Sequence, residues 1–227
     1  SAQEGPHEKL AELVLKHRNE PFLKPIAPWN QDAFRVFLDL WGGLSPLILD
    51  SACGVGWSSL ALARQFPDHF VIAVDQSEDR LTRRKPGDLP PNLCFVRADL
   101  VDFWRLLHAE GIRLARHYIL YPNPWPKIGQ VMRRWQGHPV FPVIPALGGV
   151  LECRSNWRIY VEEFSLALGF LTGERPCVEP WLPDEALTPF ERKYLASGQT
   201  LYRLCFDLEG KRCPCANQRH GLPPPSR

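Results

Sequence analysis

Five short apolar runs, at residues 47–50, 70–75, 93–96, 118–121 and 149–153, are apolar on both sides of the chain rather than on alternate residues. A strand of that kind has no face left for water, so it belongs in a parallel sheet covered by helices on both faces. Helical spacing fills the intervals. It appears through Leu60, Leu62 and Ala63, near 77–84, over 101–109, and from a cap at Asn156 to about Leu168. Residues 138–147 read as a helix despite their prolines, and residues 200–207 alternate with period two, which predicts a last strand with one more exposed face. The pattern therefore predicts an α/β fold with a doubly wound, mostly parallel sheet.

Two helical patterns, 7–18 and 31–41, precede the first strand and are separated by a proline-rich stretch at 21–28. They predict an N-terminal helical extension over 1–45, packed on a main domain at 46–208. A disordered tail is expected over 209–227, where Pro223-Pro-Pro225 stands. Apolar content of 44% against 23% charged residues is ordinary for a soluble globular protein. No apolar run approaches the roughly 20 residues needed to span a bilayer, and Ser1 to Gly5 show no signal-peptide pattern, so a cytoplasmic monomer is expected. A net charge of +2 neither demands nor excludes nucleic acid. Seven cysteines and seven histidines show no metal-ligand spacing; Cys213-Pro-Cys215 is not the two-residue spacing of a zinc ribbon. Trp29, Trp41 and Trp104 are expected in the core or an interface.

In an open parallel sheet, ligands bind beyond the carboxyl ends of the strands. Asp50 ends the first strand, before a turn containing Gly54 and Gly56; Asp75 ends the second, Asp99 follows the third and Asn123 the fourth. A carboxylate roughly 20 residues after a glycine-rich turn can accept both ribose hydroxyls. That position suits NAD as well as S-adenosylmethionine. Two features favour the latter. Trp57-Ser-Ser59 replaces the third glycine of a pyrophosphate cradle, and the charge of Asp50 would repel a pyrophosphate but attract an ammonium or sulfonium. After the fourth strand comes Tyr121-Pro-Asn-Pro-Trp-Pro-Lys127, in which three prolines stiffen a loop carrying an amide, an indole and an ammonium. Lys127, Arg133 and Arg134 interleave there with Trp125 and Trp135, a mixture that grips phosphates and stacks bases. A second basic cluster, Arg80 to Lys85, reads as a solvated face.

With those positions assembled, the chain resembles the tRNA (guanine-N(7)-)-methyltransferases from about residue 47 to 208. The resemblance rests on Tyr121-Pro-Asn-Pro-Trp-Pro-Lys127, on Ser155-Asn156-Trp157, and on Leu187-Thr188-Pro-Phe190-Glu191 followed by Gly198. It implies a Rossmann-like class I methyltransferase fold with a seven-stranded sheet whose last strand is antiparallel. It also implies S-adenosylmethionine as cofactor, held by Asp50, Gly54, Gly56, Asp75 and Asp99, with Asn123 at the catalytic and cofactor-contacting position. Lys127, Asn156, Thr188 and Glu191 would bind the target nucleotide of a tRNA.

Two departures stand out. Both site aspartates of the family pattern are amides here, Asn123 and Asn156, and Ile128 to Met132 thin out the basic stretch after the loop. A carboxylate receives the two donors on guanine's Watson–Crick edge better than an amide does. The amides leave alternatives open: an amino-nitrogen methyltransferase using the Asn-Pro-Trp loop, or a catalytically weak or inactive RNA- or nucleotide-binding relative. A nicotinamide oxidoreductase is more distant, because no hydride-transfer pair stands at the strand ends. Trp157 either stacks on the cofactor or packs behind Asn156.

Overall fold

In the computed structural model, which describes residues 3–210, seven strands form one sheet in the order β3-β2-β1-β4-β5-β7-β6. The strands are β1 (Leu47–Ser51), β2 (Phe70–Asp75), β3 (Leu93–Arg97), β4 (Arg116–Leu120), β5 (Val150–Ser155), β6 (Val178–Trp181) and β7 (Leu201–Asp207). The first five pair in parallel, and β7 runs antiparallel to both β5 and β6. The expected tail lies outside the described residues from 211 onward, with Cys213 and Cys215.

Eight helices cover the sheet among the described residues: α1 (Leu10–Asn19), α2 (Pro28–Trp41), α3 (Trp57–Gln65), α4 (Glu78–Thr82), α5 (Leu100–Ala109), α6 (Val143–Ala146), α7 (Arg158–Thr172) and α8 (Pro189–Ala196). The two faces are unequal. On one, Leu10 and Val14 of α1, Phe34 and Phe37 of α2, Phe103 and Trp104 of α5 and Phe164 of α7 close over Leu47, Leu49, Ile72 and Val74. On the other, Leu62 and Ala63 of α3 and Leu195 of α8 pack on Ile48, Val71 and Tyr118. Strands β1, β2, β4 and β5 are thus buried from both sides, which is why their sequences carry no alternation. No helix among the described residues is long and apolar enough to cross a membrane.

Three local expectations change. Residues 138–147 are not one helix: a 3-10 turn at Trp135–Gly137 is followed by the four residues of α6. Pro139, Pro142 and Pro145 each lack the amide donor that a continuous helix would use. Strand β6, absent from the apolar pattern, is four residues long and contains Pro180. It lies at the sheet edge, where a missing donor is tolerated. Trp104 is fully buried and Trp41 stacks on Phe37 at 5.8 Å, but Trp29 is 53% exposed and packs into no core.

Helices α1 and α2 contribute directly to the main core. Phe37 meets the rings of Phe34 at 5.5 Å and Phe103 at 5.6 Å and has no exposure. Phe37→Ala should therefore cost about 3–5 kcal/mol in urea unfolding. A loss below about 1 kcal/mol would mean that α2 contributes little to the core, a much smaller penalty than truncating a buried aromatic brings.

Candidate functional site

Successive residues of a strand face opposite sides, so Asp50 shares the α3 side with Ile48. Its carboxylate is 1% exposed, and one oxygen accepts hydrogen bonds from both Ser58 and Ser59 hydroxyls at 2.6 Å. Burial raises its pKa from 3.8 to about 6, against the two serine bonds that pull it down. The expectation of a charge facing the ligand from the first loop needs revision here: the side chain is turned inward beneath the turn. Ser58 and Ser59, read from sequence only as a missing glycine, are what hold it.

The turn itself is left-handed at Ala52, Gly54 and Gly56, with φ of 57°, 58° and 80°. At Gly56 an added Cβ would come within 2.4 Å of the Phe95 ring, so β3 packs against the bare backbone. The Gly54 amide donates to one oxygen of Asp75 at 2.9 Å, and the Ser77 amide donates to the other at 2.9 Å. Arg80, a member of the cluster read as a solvated face, stands 3.6 Å from the Asp75 carboxylate with 56% of its side chain exposed. Each carboxylate oxygen can accept a second hydrogen bond. The donor set of a ribose diol therefore fits Asp75 once the long, exposed Arg80 side chain gives way. Asp99 is half-buried and caps α5 by accepting from the Val101 amide at 2.8 Å.

The loop after β4 is shaped by two non-glycine residues in the left-handed region, Tyr121 (φ 52°) and Trp125 (φ 45°). Between them Asn123 is exposed, and its side-chain oxygen accepts from the Trp125 amide at 3.3 Å. Arg133 lies over the Trp125 ring at 4.8 Å, and Lys127 is exposed beside them. Arg134 departs from the phosphate-gripping expectation, because it has no exposure at all. Trp135 packs edge-on against Trp104 at 4.7 Å, so neither residue belongs to the basic surface. Trp157 packs against the Arg134 guanidinium at 5.0 Å.

The remaining candidates gather at the far side of the same edge. The Asn156 amide donates to Gln199 at 2.9 Å. Thr188 caps α8 by accepting from the Glu191 amide at 3.0 Å. Glu191, expected among the nucleotide-binding residues, is fully enclosed: it accepts from Tyr121 Oη at 2.7 Å, from Arg154 at 2.6 Å and from the Leu187 amide at 2.7 Å. Arg154 is also paired with Glu152 at 2.7 Å. Burial and the Glu191 charge push the Tyr121 phenol well above its ordinary pKa, so it remains a donor. This buried network, and Arg192 over the Trp57 ring at 5.0 Å, were not read from sequence. The contacts of Tyr121 and Arg154 with Glu191, and of Arg192 with Trp57, join residues tens of positions apart. Among the described residues no group of histidine, cysteine or acidic side chains could hold a metal.

Residues 45–204 match a family model described as "Putative methyltransferase". A tRNA (guanine-N(7)-)-methyltransferase of Anaeromyxobacter dehalogenans is 30% identical over 168 residues, covering 70% of this chain and 83% of that protein. One from Treponema pallidum (strain Nichols) is 28% identical over 171 residues, covering 71% and 67%. Among solved structures, an antibiotic-related methyltransferase superposes with a TM-score of 0.55 at 16% identity, covering 77% of this chain and 94% of its own. The 16S rRNA methyltransferase KamB gives 0.54 at 19% identity, covering 80% and 94%. At such identities the structural likeness speaks for the fold.

The position of Asp50 has a pH signature. Between 3.8 and about 6 the folded chain holds a proton that the unfolded chain has released. The stabilising contribution is complete below the lower value and is lost as pH rises through the upper one. The unfolding free energy of wild type relative to Asp50→Asn should thus fall by on the order of 2 kcal/mol between pH 4 and 7. Parallel pH profiles for the two proteins would contradict this burial.

Proposed function

The chain belongs to the tRNA (guanine-N(7)-)-methyltransferase family, and from that premise we propose that it moves a methyl group from S-adenosylmethionine to the ring N7 of a tRNA guanine. The observation that carries the reading is the pairing of sites at one sheet edge. Asp75, tied to the Gly54 amide, ends β2, and the Asn123–Trp125 rim, with Asn123 exposed and Trp125 half-buried, follows β4. Only β1 separates those strands, so the two sites leave the sheet about 10 Å apart.

When bound, the cofactor supplies a methyl group on a sulfonium, open to in-line displacement. In our reading Asp75 accepts the ribose hydroxyls as Arg80 swings aside, Gly54 and Gly56 bring backbone close to the ligand, and Asp99 meets the adenine amino group. Asp50 acts from beneath, by holding α3 through Ser58 and Ser59. Guanine N7 already carries a lone pair, so Asn123 needs to orient the base rather than remove a proton. Most of the acceleration then comes from alignment and exclusion of water. Lys127 and Asn156 face the target nucleotide. Thr188 and Glu191 serve it from inside, by fixing α8 and the Tyr121 end of the loop. Residues 46–208 carry this chemistry, with 1–45 as an extension completing its core.

Incubation with methyl-labelled cofactor and bulk tRNA, followed by nucleoside analysis, should place the label in 7-methylguanosine. Label in an amino-methylated nucleoside would favour the amino-nitrogen alternative, and binding without transfer a non-catalytic relative. Asp75→Asn should weaken S-adenosylhomocysteine binding by roughly tenfold or more in calorimetry, because a charge-assisted acceptor of two hydroxyls is lost. Asn123→Asp should raise kcat/KM for guanine several-fold, about the value of one improved polar contact. Unchanged guanine turnover in that variant would mean that the amide does not limit recognition.

A further inference from the structure

Arg134 is a buried cation whose partners are unusual. Its Nε and one terminal nitrogen donate to the Trp125 carbonyl at 3.0 and 2.9 Å, and the same terminal nitrogen reaches the Lys127 carbonyl at 3.1 Å. Its other terminal nitrogen donates to both oxygens of Glu163 at 2.8 Å and to the Gln3 side-chain carbonyl at 3.1 Å. Glu163, equally enclosed, also accepts from the side chains of Gln3 at 2.5 Å and Gln136 at 2.9 Å and from the His7 amide at 2.9 Å. The Gln3 amide closes the ring by donating to the Pro126 carbonyl at 3.1 Å.

A buried ion pair is a poor source of stability, since desolvating two charges offsets most of their attraction. What this one does is geometric. Trp125 holds a left-handed backbone that a residue with a Cβ adopts only at a steric cost, and a guanidinium fork grips the carbonyl of that residue. Asn123 takes its side-chain orientation from the Trp125 amide. The direction of both rim side chains therefore depends on the fork, and the fork is completed by a residue at the start of the chain.

Taking the methyl transfer proposed above as given, we propose that Gln3 and Arg134 are positioning residues for it: with Glu163 they fix the rim loop, and the N-terminal segment is part of the apparatus that presents Asn123 and Trp125 to the base. Gln3 makes no hydrogen bond to a sheet strand and none to the Asp75 side of the site.

The test is Gln3→Ala in the full chain, with Arg134→Lys as a second variant that keeps the charge and loses the fork. Gln3→Ala should lower kcat on tRNA on the order of tenfold, as small misplacements of reacting groups do. The KM for S-adenosylmethionine and the affinity for S-adenosylhomocysteine should stay within about twofold, the threshold set here for no effect. Hydrogen exchange should quicken at 121–134 and remain unchanged in β1, β2 and β4. Arg134→Lys should show the same split with a larger loss of kcat. Wild-type kcat and unaltered exchange in Gln3→Ala would overturn the proposal, as would a loss shared equally by cofactor binding and by the whole sheet. If the wild-type protein methylates no tRNA, the functional reading fails, while exchange at 121–134 still decides whether Gln3 holds the loop.

Discussion

Parallel pairing from β3 through β5 brings the carboxyl ends of five strands to one edge, and the candidate residues from Asp50 to Asn156 depend on that constraint. Side chains 24 or more positions apart in the chain become neighbours because strand spacing is fixed at about 5 Å by the hydrogen-bond ladder. Asp75 shows how the edge becomes a site. Its carboxylate receives the amide of the glycine turn after β1 and the amide that starts α4, so one charge organises two adjacent loops. In the proposed reading, a preorganised acceptor of this kind loses little entropy when the ribose diol arrives.

The rim opposite is held in a different way. Its loop has a left-handed residue near each end, and each is tied to a buried arginine–glutamate pair: Tyr121 through its hydroxyl to Glu191 and Arg154, Trp125 through its carbonyl to Arg134 and Glu163. Such pairs are weak stabilisers but strict about geometry, because a carboxylate meets a guanidinium well only in a narrow range of directions. The amides Asn123 and Asn156 leave this exposed rim without the two carboxylates of the resembled pattern. In the proposed reading, recognition there rests more on shape, stacking and Lys127 than on acceptance of two donors.

Much of this was legible in the sequence for identifiable reasons. Two-sided burial writes itself as unbroken apolar runs, so strands β1 to β5 and the polar residue at each end could be found. Strand β6 could not, being short, proline-bearing and at an edge. The side-chain roles were harder. A charge in sequence reads as solvent-facing, and nothing near Arg134 announces Glu163 or Gln3 as its partners. Glu191 was marked by resemblance, yet its enclosure comes from Tyr121, just past β4, and from Arg154 of β5. Likewise the serines after Gly56 looked like a defect in a phosphate cradle, whereas they are the hydroxyls that satisfy Asp50.

The central claim is that the edge between β2 and β4 takes a nucleoside-bearing sulfonium cofactor. A crystal structure with S-adenosylhomocysteine reads this directly. The account predicts ribose hydroxyls on the Asp75 carboxylate, Arg80 withdrawn from it, and the sulfur facing Asn123. A ligand seated elsewhere, with the Asp75–Arg80 pair intact, would contradict it.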